Sequence, residues 1–166
     1  VVFTVATSNN SWYNKTVTNT NMISGWNHIV GLYDGSNLKL YVNGSNVATT
    51  TGISGTILNN SNEVFFGRTT SSYYSGNISQ LGIFSSALTS DEVSSLYNHG
   101  LPIDLTTNQA AYTSSSNLVG YWRMGSGTLD SYPLIADQTN ATLGSEVIVN
   151  GSFTGVANGT DVITLS

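Results

Sequence analysis

Apolar and polar residues alternate with a period of two along most of this chain, the pattern of half-buried strands. Val1-Val2-Phe3-Thr4-Val5-Ala6-Thr7 is β-branched and uncharged and predicts a strand. From Trp26 to Tyr33 the alternation sets Trp26, His28, Val30 and Leu32 on one face, and Asp34-Gly35-Ser36-Asn37 follows with turn chemistry. In Leu38-Lys39-Leu40-Tyr41-Val42 the aliphatic residues point one way and Lys39 and Tyr41 the other, and Asn43-Gly44 closes a hairpin. Three antiparallel strands therefore run from Trp26 to about Thr50. Further strands are expected at 62–68, 77–84 and Leu118–Met124, with weaker ones at 146–149 and 161–165.

One segment has helical spacing. Thr89-Ser90-Asp91-Glu92 has the form of a capping box, with Val93, Leu96 and Tyr97 on one face. Gly100 suits a left-handed cap and Pro102 prevents continuation. Residues 106–116 are polar and aperiodic and read as a linker. Short uncharged strands separated by frequent turns predict an all-β fold: an antiparallel two-sheet jelly-roll sandwich with one short capping helix near 89–99.

Composition narrows the function. The 166 residues include 24 Ser, 21 Thr and 19 Asn but only 8% charged residues, with a net charge of −5. The four cations, Lys15, Lys39, Arg68 and Arg123, are scattered, so nucleic-acid binding is not expected. No apolar run reaches the 18 or more residues of a membrane-spanning helix. The chain has no cysteine, which excludes thiol catalysis, disulfides and thiolate-bound zinc. A surface rich in hydroxyls and amides suits an extracellular or virion surface.

Five motifs in order resemble the laminin-G-like, concanavalin A-like jelly-roll superfamily over roughly residues 20–100: Trp26-Asn27-His28-Ile29-Val30, Leu38 to Gly44, Phe65-Phe66-Gly67-Arg68, Tyr74-Ser75-Gly76-Asn77-Ile78, and Ala87 to Tyr97. The resemblance implies two sheets face to face, an aromatic core strand, a hairpin, a glycine where the sheets approach, and a capping helix. It also implies an opening strand that here stands late, at Leu118-Val119-Gly120-Tyr121-Trp122-Arg123-Met124, continuing to Asn140-Ala141-Thr142-Leu143. Residues 1–105 thus read as a jelly roll without its usual opening strands, 106–116 as a linker, and 117–166 as a β-rich tail resembling such an opening.

Three arrangements are consistent with that displacement. The chain is an excerpt of a tandem protein; or it is circularly permuted and closes on itself; or Leu118, Val119, Tyr121, Trp122 and Met124 form a strand donated to a neighbouring copy. The uncharged edge formed by Val1, Val2, Phe3 and Val5 lacks the charges and prolines that protect natural edges, so pairing with other protein is expected there.

Candidate chemistry is sparse. The three glutamates, Glu63, Glu92 and Glu146, are far apart, whereas glycoside hydrolysis needs two facing carboxylates. His28 reads as a core residue, and His99 as a helix-end residue facing the dipole. The resemblance implies calcium as the usual ion, for which Asp34, Asp130 and Asp137 are loop acids, although single turn acids more commonly form Asx turns. Trp12, Tyr13, Tyr73 and Tyr74 are candidate glycan contacts. Of eight glycosylation sequons, Asn14 and Asn43 are singled out, Asn43 because it stands at a hairpin tip. No catalytic, metal or cofactor residue is assigned. Two functions follow as expectations: a non-enzymatic structural subunit of an extracellular filament or virus particle, polymerised with copies of itself by strand exchange; or a carbohydrate-binding adhesion module of a secreted or cell-surface protein.

Overall fold

A computed structural model describes residues 1–8, 12–16, 21–58, 65–68, 71–125, 134–135, 138–139 and 148–149, with 12–16, 134–135 and 148–149 described by backbone alone. The described residues are mostly β-structure with one short helix, consistent with a jelly-roll sandwich. The chain divides into two units, Val1–Asn60 with Phe84–Asn117, and Ser61–Ile83 with Leu118–Ser166.

In the first unit, β1 (Val2–Ala6) pairs antiparallel with β2 (Trp12–Thr16), Val2 opposite Thr16 and Ala6 opposite Trp12. A second sheet has the order β3 (Ile29–Tyr33), β4 (Asn37–Val42), β5 (Ser45–Thr51), all antiparallel. The alternation of β4 explains why the sheets stack. Leu38, Leu40 and Val42 share one face and are buried, and Phe3 and Val5 of β1 pack onto them with Tyr33 and Ile53. The strand expected to pair with other protein pairs on one side with β2 of its own chain: Val5 is buried and Phe3 half-buried, while Val1, Val2 and Thr4 are exposed. The end of β1 is extended by Ser8 N–H donating to Thr56 C=O at 2.8 Å and Leu58 N–H donating to Ala6 C=O at 3.0 Å.

The Asn43-Gly44 turn takes the twist that a right-handed hairpin requires, with φ of 51° and 79° at its two central residues. Its Asn43 side chain has a second task. Its Oδ1 accepts from His28 N–H at 2.9 Å, and its Nδ2 donates to Asn27 Oδ1 at 3.1 Å. Between Leu40 and Tyr41 the register to β5 slips, leaving Val47 as an extra residue.

The helix α1 (Ser90–Tyr97) forms as its capping box predicts. Glu92 N–H donates to Thr89 Oγ1 at 3.2 Å, while Thr89 N–H donates back to Glu92 Oε2 at 2.9 Å. Its end differs from expectation. Asn98, at φ 41°, is the left-handed cap, followed by His99 at φ 54° and Gly100 at φ 84°.

The expected linker is folded. Thr106 N–H and hydroxyl donate to Asp104 Oδ1, Gln109 and Tyr112 exchange backbone bonds of 3.0 and 2.9 Å, and the buried Tyr112 hydroxyl donates to Leu105 C=O at 2.8 Å. Glu92 grips its far end. Its Oε1 accepts from Thr113 N–H at 3.1 Å, Thr113 Oγ1 at 3.2 Å and Ser114 Oγ at 2.6 Å. Three residues on, Asn117 C=O accepts from Ser85 N–H at 2.8 Å.

Further along, β6 (Leu81–Phe84) pairs with β7 (Leu118–Trp122), and β8 (Leu134–Ile135) pairs antiparallel with β9 (Ile148–Val149). Tyr121 and Trp122 are buried, and the Trp122 ring packs against Phe66 at 4.9 Å between centroids. Gln138 N–H donates to Tyr121 C=O at 2.6 Å. Two strand expectations shorten: residues 65–68 form a turn with a single bridge from Arg68 to Tyr73, and 77–80 precede β6 without joining it. Residues 62–64, 146–147 and 161–165 lie outside the described residues.

A methyl group at Gly31 would run into the ring of Phe3, so this position admits no side chain where the two sheets meet. Gly31→Ala is expected to lower unfolding stability by about 1–3 kcal/mol, and Phe3→Leu in the same chain to recover part of the loss in urea titrations. Glu92 gives a second expectation. Burial pushes its carboxyl up, but the donors from Ser114, Thr89 and Thr113 outweigh burial and hold it at about 2. This contribution is therefore full above the ordinary value of 4.5 and is lost as pH falls through about 2. Glu92→Gln should cost about 1–3 kcal/mol near neutrality and flatten the acid limb of a stability–pH profile.

Candidate functional site

The acidic and histidine candidates resolve into structural roles. Glu92 is 4% exposed, and five donor bonds from three residues occupy both its oxygens, leaving no free lone pair aimed at solvent. Asp34 closes an Asx turn: Oδ1 accepts from Ser36 N–H at 3.0 Å and Asn37 N–H at 2.7 Å, and Oδ2 pairs with Lys39 Nζ at 3.2 Å. Despite some opposing burial, the Asn37 side chain, the two backbone donors and Lys39 hold Asp34 at about 2. Among the described residues there is no group of three His, Cys, Asp or Glu able to hold a metal ion. Asp130, Asp137, Glu63 and Glu146 lie outside the described residues.

His28 stacks on Tyr97 with centroids 6.1 Å apart, and its Nδ1 is buried without a hydrogen-bond partner among the described residues. A triad histidine has that nitrogen held by a carboxylate, and no described carboxylate holds it here; His28 packs as a half-buried ring against Tyr97. His99 is exposed, 6.4 Å from the Tyr97 ring.

The aromatic candidates separate. Tyr73 and Tyr74 are 68% and 61% exposed and adjacent in sequence; Tyr73 bridges Arg68, and Tyr74 N–H donates to Gly67 C=O at 2.7 Å. The Arg68 guanidinium lies 4.5 Å from the centroid of Phe65 and 5.7 Å from that of Tyr73, a cation–π contact that braces the outer ring. The Tyr74 ring lies close to Gly76, where an added methyl group would come within 2.7 Å of it. The side chains of Trp12, Tyr13 and Asn14 lie outside the described residues, although their backbone forms β2.

Trp26 departs from the alternation reading. It stands before β3 and is 61% exposed, with Ile23, three residues earlier, at 59%. The reason is Asn27, whose Oδ1 accepts from Ile23 N–H at 3.0 Å and whose Nδ2 donates to Ile23 C=O at 2.9 Å and Gly25 C=O at 3.1 Å. These bonds close a tight loop that turns the indole outward; Ser24-Gly25 was the available turn signal. Asn43, expected at an open hairpin tip, is half-buried with its amide engaged on both sides.

Of the assembly candidates, Leu118, Val119, Tyr121 and Trp122 pair in this chain with its own Leu81–Phe84. Met124 falls beyond the strand, at φ 54°.

A family model described as the concanavalin A-like lectin/glucanases superfamily matches residues 1–94. No curated protein matches. A crystal structure of an S-layer domain-containing protein (residues 221–444) from Clostridium thermocellum ATCC 27405 is similar at 25% identity with a TM-score of 0.42, over 52% of this chain and 45% of that one. The chain spans less than half the length of that structure.

Burial lowers His28 below its ordinary 6.5, favouring the neutral ring. Its contribution to stability is therefore present above that value and lost as pH falls below it. His28→Gln is expected to lose less stability than the parent between about pH 7.5 and about pH 5, as read by thermal unfolding.

Proposed function

The chain belongs to the concanavalin A-like lectin/glucanases superfamily, and from that premise we propose that it is a non-enzymatic carbohydrate-binding module of a secreted or cell-surface protein. The observation that carries this reading is the braced tyrosine pair. Tyr73 and Tyr74 expose their rings on a short, hydrogen-bonded bridge, with Arg68 close to Tyr73 and Gly76 close to Tyr74. Saccharides present apolar C–H faces that stack on aromatic rings, and a ring already held in place loses little entropy on binding. The hydroxyl- and amide-rich, weakly charged composition suits a neutral saccharide.

A second reading, a structural subunit of an extracellular filament or virus particle built by strand exchange between copies, is favoured by the uncharged start of β1, where Val1 and Val2 are exposed. It must also account for β7 being paired with β6 of its own chain.

A glycan array probed with the full chain is expected to return neutral oligosaccharides, and Tyr73→Ala and Tyr74→Ala each to weaken binding about tenfold in calorimetry. Binding should survive a chelator, because Asp34 and Glu92 are already engaged by protein donors. Absence of any glycan bound at about millimolar concentration, with the chain folded, would overturn this reading.

A further inference from the structure

The geometry points to a self-association surface at the outer edge of β3, where the same edge of a second copy pairs antiparallel about a twofold axis. The hydrogen-bond phase of the β3–β4 ladder locates the free groups. Asp34 N–H donates to Asn37 C=O at one end, and Asn43 N–H donates to His28 C=O at the other. Bonded pairs in an antiparallel ladder recur every second residue. With Leu32 opposite Lys39 and Val30 opposite Tyr41, the inward-bonding residues are therefore 28, 30, 32 and 34. The N–H and C=O groups of Ile29, Gly31 and Tyr33 point away from β4. They meet no partner strand among the described residues, because β3 ends its sheet.

Charge stands only at the end of this edge, where Asp34 is paired with Lys39. From residue 21 to residue 33 the chain carries no Asp, Glu, Lys, Arg or Pro, and the bulge at Val47 lies on the far side of β4. Natural edges use charge, proline or bulges to prevent pairing. Ile29 on the strand is 40% exposed, and Trp26 and Ile23 just before it are exposed further, held outward by Asn27.

A second copy is the occupant that this edge fits. Antiparallel pairing centred on Gly31 sets Gly31 against its own equivalent, and Ile29 against Tyr33 of the other copy. All six outward N–H and C=O groups of each strand are then satisfied, and two aromatic–β-branched cross-strand pairs form. The arrangement is self-complementary and closes as a dimer. Between Ile29 and Tyr33 the two edges bring no ionised group together; Asp34, at the end of the strand, is paired with Lys39 of its own chain at 3.2 Å, and His28, which falls opposite it in the other copy, is half-buried. The contact is small compared with permanent interfaces, so association is reversible and concentration-dependent.

Hydrogen exchange of the wild-type chain across a concentration series, read beside sedimentation velocity, tests this. The amides of Ile29, Gly31 and Tyr33 should slow as concentration rises while those of β5 do not, in step with a monomer-to-dimer shift. Ile29→Lys should raise the dissociation constant at least about tenfold without changing the thermal midpoint by more than a few degrees. A chain that stays monomeric at every concentration, or one that dimerises with these three amides still exchanging freely, overturns the proposal. So does Ile29→Lys associating like the wild type. Glycan binding through Tyr73 and Tyr74 is measured separately and stands or falls independently.

Discussion

One buried carboxylate sets much of the path of this chain. Glu92 begins as a helix cap, a local device that reaches three residues back to Thr89. Its other oxygen takes three donors from Thr113 and Ser114, more than twenty residues further on. A carboxylate left in the interior without donors would cost several kcal/mol, so each of these bonds is strongly required once the helix is seated. The polar segment between helix and β7 is thereby drawn in against α1. With Ser85 holding Asn117, β7 starts next to the end of β6. A segment rich in Ser and Thr works here as a strap.

This bears on the late opening strand. An unanchored tether would leave donation to a neighbour and closure on the same chain to be decided by effective concentration alone. In this chain β7 pairs with β6, and its Trp122 packs with Phe66 of the same unit.

What was legible in the residues were features whose cause lies within a few positions. The β3–β4–β5 meander follows from alternation plus the Asn43-Gly44 turn, and the helix follows from Thr89 and Glu92. What was not legible depends on distant partners. Hydroxyls at Thr113 and Ser114 have no periodicity that would point to Glu92. Trp26 fits the alternation of the strand that follows it, yet Asn27 closes a loop before the ladder begins and reverses the direction of the indole. The tyrosine pair was visible as a dipeptide, but its bracing by Arg68 depends on a turn that brings residue 68 opposite residue 73.

The amide relay from Ile23 through Asn27 to Asn43 and His28 has a chemical consequence of its own. One link depends on Asn43 keeping a nitrogen that donates to Asn27 Oδ1. Asparagine followed by glycine is the pairing whose side chain is most readily attacked by the next backbone nitrogen, with loss of ammonia. If a carboxylate replaced that amide, two oxygens would face each other across 3.1 Å and the tie between the hairpin and the loop before β3 would be lost. The dipeptide that makes this hairpin turn is therefore also a slow clock, and that tie is the part whose lifetime it measures.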